Sequence, residues 1–433
     1  MPGVPPPVRH HDDVSLRPAP QPAAASTGVG PRALLTVTGI DRPGVTARLF
    51  GALAGSADGA PSLEVVDVEQ VVVHGQLVLG VVVGAVPVDG TGPETEDALL
   101  ARLVRLAGEV SGATGVQVRV EPASGPEPER PGRPHHVIVL GRPVPPGAVA
   151  GAAQAIAAIG GNIDAIRRLS DYPVTSFELT VSGTDATALR TELGHVAAAT
   201  GADIAVEQAG LARRSKRLIV LDVDSTLVRG EVIDELAARA GRAAEVARIT
   251  AAAMNGELDF AESLRKRVAA LEGLPVEVLA EVRAALELTP GARTLIRTLK
   301  RLGFRCGIVS GGFTQITDPL AEALGLDFAA ANTLEVADGK LTGGLVGEIV
   351  DRAGKARALA RFAAEYEIPL EQTVAVGDGA NDLDMLNTAG LGIAFNAKPL
   401  VREQAHAALN QPYLDAVLQV LGFTRDEVED AAP

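Results

Sequence analysis

Four consecutive apolar residues, Leu218-Ile219-Val220-Leu221, run directly into Asp222-Val223-Asp224-Ser225-Thr226, and this junction narrows the folds open to the chain. A strand that is apolar on both faces belongs at the buried centre of a parallel sheet. Ligands of such sheets collect at the carboxyl ends of their strands. Asp222 and Asp224 stand at that edge. A second carboxylate pair follows about 150 residues later in Gly377-Asp378-Gly379-Ala380-Asn381-Asp382, behind another short apolar strand, Thr373 to Val376. Carboxylates gathered at two strand ends repel one another unless a divalent cation neutralises them, and an oxygen-rich site that keeps some waters suits Mg²⁺. The pattern predicts a metal-dependent phosphoryl-transfer site.

From about Lys216 onward, strand and helix patterns alternate with one interruption. Residues from about Gly230 to Leu288 are almost entirely helical in pattern, which predicts a cap inserted after the first strand. Arg305 to Val309 reads as the next strand, ending in Ser310-Gly311-Gly312-Phe313. Small residues there free backbone N–H groups for an anion. Asn332 to Gly347, with Asp338-Gly339 at its middle, reads as a hairpin, and Gly354-Lys355 opens a helix.

Chemical need then assigns roles. Attack on phosphorus requires a nucleophile, for which Asp222 is the candidate. The leaving alkoxide needs a proton and the later water must lose one, so Asp224 is placed as acid and then base. The Ser310 hydroxyl, the Gly311 N–H and the Lys355 ammonium would meet the charge on the equatorial oxygens. Mg²⁺ would join Asp222, Asp378 and the phosphate. In the cap, Phe260, Leu264, Val268 and Leu271 form an apolar stripe, with Arg267 on the same face. An Arg on such a face meets a carboxylate, and Glu231, at the cap's entrance, can meet an ammonium. A phosphate site flanked by one acid and one base describes a phosphorylated amino acid; on these residues alone the alternative is Arg267 snorkelling to solvent and Glu231 as a helix-start carboxylate.

The first half repeats itself. Ala33 to Gly39, Pro43 to Ala54, Leu63 to Val73, Gln76 to Val83, Glu94 to Val110 and Val116 to Val120 read as βαββαβ, and the order returns from His136 with a period of about 100 residues. Glu121 to Pro134 between them has linker composition, and the Pro-rich opening to about Gly30 reads as a disordered tail. The net charge of -15, with no long basic run, excludes a nucleic-acid partner or an anionic membrane surface. No stretch reaches the roughly 20 apolar residues of a membrane span. Cys306 is the only cysteine, which rules out an intrachain disulfide and points to a reducing, cytoplasmic setting.

Each βαββαβ unit resembles an ACT domain, a ferredoxin-like module that binds amino acids at the loop between its first strand and first helix. The resemblance implies an effector such as L-serine at Asp41 and Gly44 in the first copy and at Gly147 in the second, with a pairing scaffold that binds nothing as the alternative. The second half is similar to the haloacid dehalogenase-like superfamily through Asp222 to Thr226, Ser310, Lys355 and Gly377 to Asp382. Its phosphatase branch is implied by Asp224, since transport ATPases carry Thr at the matching position. The segment Asp259 to Val268 resembles the cap of the phosphoserine phosphatase family.

That family's pattern implies O-phospho-L-serine around Glu231, Met254, Phe260, Arg267, Ser310, Gly311, Lys355 and Asn381. It also implies a Mg²⁺ ion on Asp222, Asp378 and the Asp224 backbone carbonyl, with Asp382 behind them. The expected organisation is a tail at 1–30, ACT domains at 31–121 and 135–209, and a Rossmann-like α/β phosphatase at 216–423 with its cap at about 230–288, in a homodimer or higher homo-oligomer. Two alternatives remain: a phosphatase of another small phosphomonoester or of phosphoprotein serine, and an amino-acid sensor with a vestigial phosphatase half.

Overall fold

The computed structural model describes residues 30–55, 61–86, 94–123, 132–254 and 258–430. The expected tail and most of the linker between the repeats lie outside these residues. The chain divides into two compact units, 1–129 and 130–433.

The first unit is built from β1 (Arg32–Ile40), β2 (Leu63–Val73), β3 (Gln76–Ala85) and β4 (Gln117–Pro122), with helices Val45–Ala54 and Glu96–Thr114. The strands form an antiparallel sheet in the order β2-β3-β1-β4. Alternation along β1 turns Ala33, Leu35 and Val37 inward, where they meet Leu49, Leu99 and Leu103 of the helices. The edge strand β2 buries none of its residues, and Val65, Val68, Val71 and Val73 are each at least half exposed.

The second unit opens with the same plan: β5 (His135–Gly141), β6 (Asn162–Ser170), β7 (Thr175–Ser182) and β8 (Asp203–Gln208), with helices Pro146–Ala158 and Ala186–Thr200. The remaining strands are β9 (Leu218–Leu221), β10 (Arg305–Phe313), β11 (Phe328–Ala337), β12 (Lys340–Val346), β13 (Thr373–Gly377), β14 (Leu391–Phe395) and β15 (Ala407–Leu409). All eleven belong to one sheet, ordered β12-β11-β10-β9-β13-β14-β15-β8-β5-β7-β6. The sequence pattern suggests a break near residues 209–216, yet β8 pairs antiparallel with β15 at Ala205 and Ala407. Strand β15 is three residues long and carries no periodic signal of its own. Around this junction Asp203 accepts both the backbone N–H of Asn410 (2.7 Å) and its side-chain Nδ2 (2.6 Å). Arg213, in the short helix Leu211–Arg214, donates to the Val420 carbonyl at 2.9 Å and pairs with Glu178.

β9 lies between β10 and β13, parallel to both, and all four of its residues are buried. Layers on its two faces close the core, through Leu295, Ile296 and Val417 on one and Leu359, Phe362 and Leu386 on the other. The cap comprises helices Val232–Arg239, Ala243–Met254, Phe260–Ala269 and Glu277–Ala285. Its outgoing and returning limbs are tied together by Arg229 N–H to the Glu287 carbonyl (2.8 Å) and Thr289 N–H to the Leu227 carbonyl (2.9 Å). The β11–β12 hairpin supports the cap from below, with Gly273 N–H donating to the Leu341 carbonyl at 2.8 Å and Leu341 N–H to the Leu274 carbonyl at 2.9 Å.

Candidate active site

Behind Leu221 the chain leaves the sheet in a single wide turn. Leu227 N–H reaches the Asp222 carbonyl (3.2 Å) and Val228 N–H the Val223 carbonyl (3.0 Å), with Ser225 left-handed at φ 56°. Asp222 comes to rest against Lys355. The Lys355 ammonium donates to Asp222 Oδ1 at 2.7 Å and to Asp382 Oδ1 at 2.6 Å, and all three side chains are fully buried. Lys355 is delivered by the first turns of helix Arg352–Glu365, which Asp351 caps by accepting Gly354 N–H at 2.7 Å. Asp382 Oδ2 accepts Gly379 N–H at 2.9 Å, and a β-carbon on Gly377 would come within 2.5 Å of the Asp382 carboxyl carbon. Glycine at 377 is therefore a steric requirement.

Asp222, Asp378 and Asp382 each offer an oxygen within 4.8 Å of the others. Asp382 is already engaged by Lys355 and Gly379, which leaves Asp222 and Asp378 as the freer ligands. Burial, then Asp382, raises the Asp222 carboxyl far above its ordinary range, with Lys355 opposing and Asp224 adding to the rise. Burial and Asp382 push Asp378 up to about 6. Burial alone would lower the Lys355 ammonium, but Asp222 and Asp382 outweigh it and hold the group charged. One ammonium thus faces a surplus of buried negative charge. That deficit fits a hard divalent cation with oxygen ligands.

Asp224 points elsewhere: its Oδ1 accepts Val232 N–H at 2.8 Å, and Ser310 Oγ lies 3.5 Å from its Oδ2. Burial raises its pKa, while Val232 N–H, Lys355 and Ser310 restrain the rise. The sequence reading runs the strand from Arg305 to Val309 and ends it in Ser310 to Phe313; the structure keeps these four residues in β10 as an irregular continuation. Ser310 Oγ accepts Gly312 N–H at 2.8 Å. Gly311 lies under the cap, where a β-carbon would be 3.2 Å from Phe260 Cζ.

Phe260 is the first residue of its cap helix, behind the Asp259 cap that accepts Glu262 N–H at 2.7 Å. One helical face on, Arg267 is half-buried, and its Nε has no hydrogen-bond partner among the described residues, whereas Arg265 and Lys266 are exposed. Burial lowers the Arg267 pKa, with Glu231, Asp234 and Asp224 opposing. Glu231, just ahead of the first cap helix, accepts the Ser225 hydroxyl at 3.2 Å. Burial, with Asp224 and Asp378 nearby, pushes its carboxyl up to about 7. Asn381 stands in the one-turn helix Ala380–Asp382, its side-chain oxygen packed over Gly379. Met254 ends its cap helix, and its side chain lies outside the described residues.

In the first unit, Asp41 and Gly44 precede helix Val45–Ala54, with Gly44 left-handed at φ 98° and open space where a side chain would go. Gly147 lies inside the first turn of helix Pro146–Ala158 and not in the preceding loop, because Pro146 already starts the helix. The close approach to that loop falls on Gly141, the last residue of β5, where a β-carbon would meet the Pro143 carbonyl at 2.9 Å.

Three residues with no role in the sequence reading join the site. Thr226 Oγ1 lies 3.4 Å from Asp378 Oδ1, Thr289 Oγ1 donates to the Thr226 carbonyl at 2.6 Å, and Asn332 bonds to Gly311. Thr226 was legible through its place in the motif. Thr289 and Asn332 have no local signal.

Sheet, cap and strand-end carboxylates define a haloacid dehalogenase-like hydrolase, and that family model matches residues 219–387. ACT-domain models match residues 32–117 and 133–207. A phosphoserine phosphatase of Streptomyces coelicolor is 56% identical over 412 residues, 94% of this chain and 96% of that one. One of Mycobacterium tuberculosis is 55% identical over 401 residues, 92% of this chain and 95% of that one. The chain belongs to the phosphoserine phosphatase family. Among solved structures, a haloacid dehalogenase family hydrolase of Salmonella enterica is similar, at 29% identity and TM-score 0.58 over 66% of this chain and 99% of that one.

Proposed function

We propose that the protein hydrolyses O-phospho-L-serine to L-serine and phosphate through a phosphoenzyme on Asp222. The observation that carries this reading is the charge layout of the site. A buried Asp222–Lys355–Asp382 cluster lies at the strand end, while Glu231 and Arg267 belong to the cap segments and both lie near Asp224.

Asp222 Oδ1 is held by Lys355, so Oδ2 is the oxygen left to attack phosphorus. As that bond forms, the bond from phosphorus to the seryl oxygen breaks, and Asp224, whose proton is favoured by burial, protonates the leaving oxygen. The carboxylate so formed takes a proton from water. That water attacks the same phosphorus and frees Asp222 and inorganic phosphate. Ser310, Gly311 and Lys355 donate to the phosphoryl oxygens throughout. Asp222, Asp378 and the Asp224 carbonyl would hold Mg²⁺, which when bound neutralises charge on the phosphoryl oxygens. Arg267 would take the substrate carboxylate and Glu231 its ammonium, with Phe260, Met254 and Asn381 closing around them.

The ACT domains support two further readings. Gly44 leaves backbone open to a small ligand such as L-serine, and a bulky residue there would block it. The unburied β2 edge suits pairing with a second copy. The single buried thiol, pushed up to about 12 by burial, fits a reducing, cytoplasmic setting.

Steady-state hydrolysis of phosphoserine, phosphothreonine and a phosphoserine peptide, each with and without Mg²⁺ and L-serine, tests the reading. A strong preference for phosphoserine that requires Mg²⁺ is expected. Equal efficiency on all three would remove the assignment of Arg267 and Glu231. No hydrolysis with Mg²⁺ present would favour a sensor. Serine inhibition unchanged in Gly44→Val would remove the effector site there.

A further inference from the structure

Strand β10 does not pair regularly to its end. Its register with β11 shifts between Val309 and Phe313, so Ser310, Gly311 and Gly312 form an irregular step. Backbone groups displaced from a buried ladder need other partners. Gly312 N–H finds the Ser310 hydroxyl at 2.8 Å. The Gly311 carbonyl finds Asn332 on the neighbouring strand, whose Nδ2 donates at 2.8 Å. The other end of that amide, Oδ1, accepts the N–H of Val350 at 2.8 Å. Asn332 is 2% exposed, and both ends of its side chain are spent on backbone.

These two backbone points lead to different parts of the site. Gly311 belongs to the strand end that would meet the phosphate. Val350 is followed by Asp351, the cap of the helix that brings Lys355 to Asp222. Among uncharged side chains, an amide carries a donor at one end and an acceptor at the other, a fixed width apart. A carboxylate in its place would set a second oxygen against the Gly311 carbonyl, and a shorter side chain could not span both groups.

We infer that Asn332 is a positioning residue for phosphoryl transfer: it touches no reacting atom but fixes the spacing between the Ser310–Gly311 donors and the Lys355 helix. This rests on the roles proposed above for Ser310, Gly311 and Lys355. The consequence falls on the transition state more than on substrate binding, because equatorial oxygens must meet both sets of donors together. Small misplacements of such groups are enough to slow an enzyme by about 100-fold.

The test uses the full-length enzyme and the near-isosteric variant Asn332→Asp, with Asn332→Ser as a second, shorter probe. Phosphoserine kinetics are read beside inhibition by orthovanadate, which imitates five-coordinate phosphorus. In Asn332→Asp, kcat should fall about 10- to 100-fold. Vanadate inhibition should weaken by a similar factor while KM stays within about 3-fold, as expected for an interaction that matters in the transition state. Asn332→Ser should move in the same direction. A merely structural role would lower the melting temperature and the active fraction but leave vanadate affinity of the remaining enzyme intact. Vanadate inhibition at the wild-type level in both variants, or KM and vanadate weakening in equal proportion, would overturn the inference. Failure of the underlying reading shows separately, as an Asp222→Asn enzyme that keeps its turnover.

Discussion

The two ends of the site are built differently. At the strand end, Asp222, Lys355 and Asp382 are fully buried and bonded to one another, so their geometry is set by the folded core. At the cap end, Glu231 is exposed and Arg267 half-buried, and Arg267 Nε has no hydrogen-bond partner among the described residues. The contrast separates two tasks. The geometry of the strand end is fixed by the fold and its surplus charge awaits a cation, whereas the cap end, on the proposed reading, is completed by the charges of a zwitterion.

Substitutions can break this division. The largest effect is expected for Asp222→Asn, which removes the proposed nucleophile while leaving a hydrogen-bond partner for Lys355: kcat should fall by about 10⁴-fold or more in phosphate-release assays. Next comes Asp224→Asn, expected to slow turnover by about 10²- to 10⁴-fold. If phosphoenzyme formation survives in that variant, acid-quenched, labelled protein should retain phosphate that hydroxylamine releases. Absence of any trapped label would count against Asp224 as the base of the second step.

At the cap end the effect should be smaller and fall on KM. Arg267→Ala loses a charge-assisted contact and should raise KM by about 10- to 100-fold with kcat little changed. Phosphoethanolamine, which lacks the carboxylate, sharpens the point: the variant should treat it and phosphoserine nearly alike. If Arg267→Ala still discriminates as the wild type does, the carboxylate is read elsewhere.

The smallest expected effect concerns stability. Burial and Asp382 raise Asp378 to about 6, so its folded state holds a proton that the unfolded chain has already lost above the ordinary carboxylate range. A raised carboxyl stabilises at low pH, and that contribution fades as pH climbs through about 6. Metal-free protein should therefore lose stability between about pH 4 and 7, and the rise in melting temperature on adding Mg²⁺ should grow over the same range. A Mg²⁺ increment that does not vary with pH would break the link between the surplus charge and the metal.

Much of this was readable in advance because it is local. An apolar run ending in carboxylates and a twice-repeated βαββαβ order both follow from periodicity and residue type, and Arg267 shares a helical face with Phe260. What escaped depends on register and distant packing. Strand β15 is too short to show alternation, and nothing in Asp203 or Asn410 announces that they will bond across 207 positions. Asn332 follows three alanines and acquires meaning only because β10 slips beside it. The second ACT helix starts one residue ahead of Gly147 because Pro146 can equally end a loop or start a helix.

The pairing of β8 with β15 bears on how this chain can be divided. A cut in the segment 209–215 would free two edges at once, one on each fragment. It would leave Asn410 and the buried Asp203 without the bonds they now share. Free sheet edges invite pairing with strangers. In this chain the second ACT domain thus covers an edge that the catalytic sheet would otherwise expose.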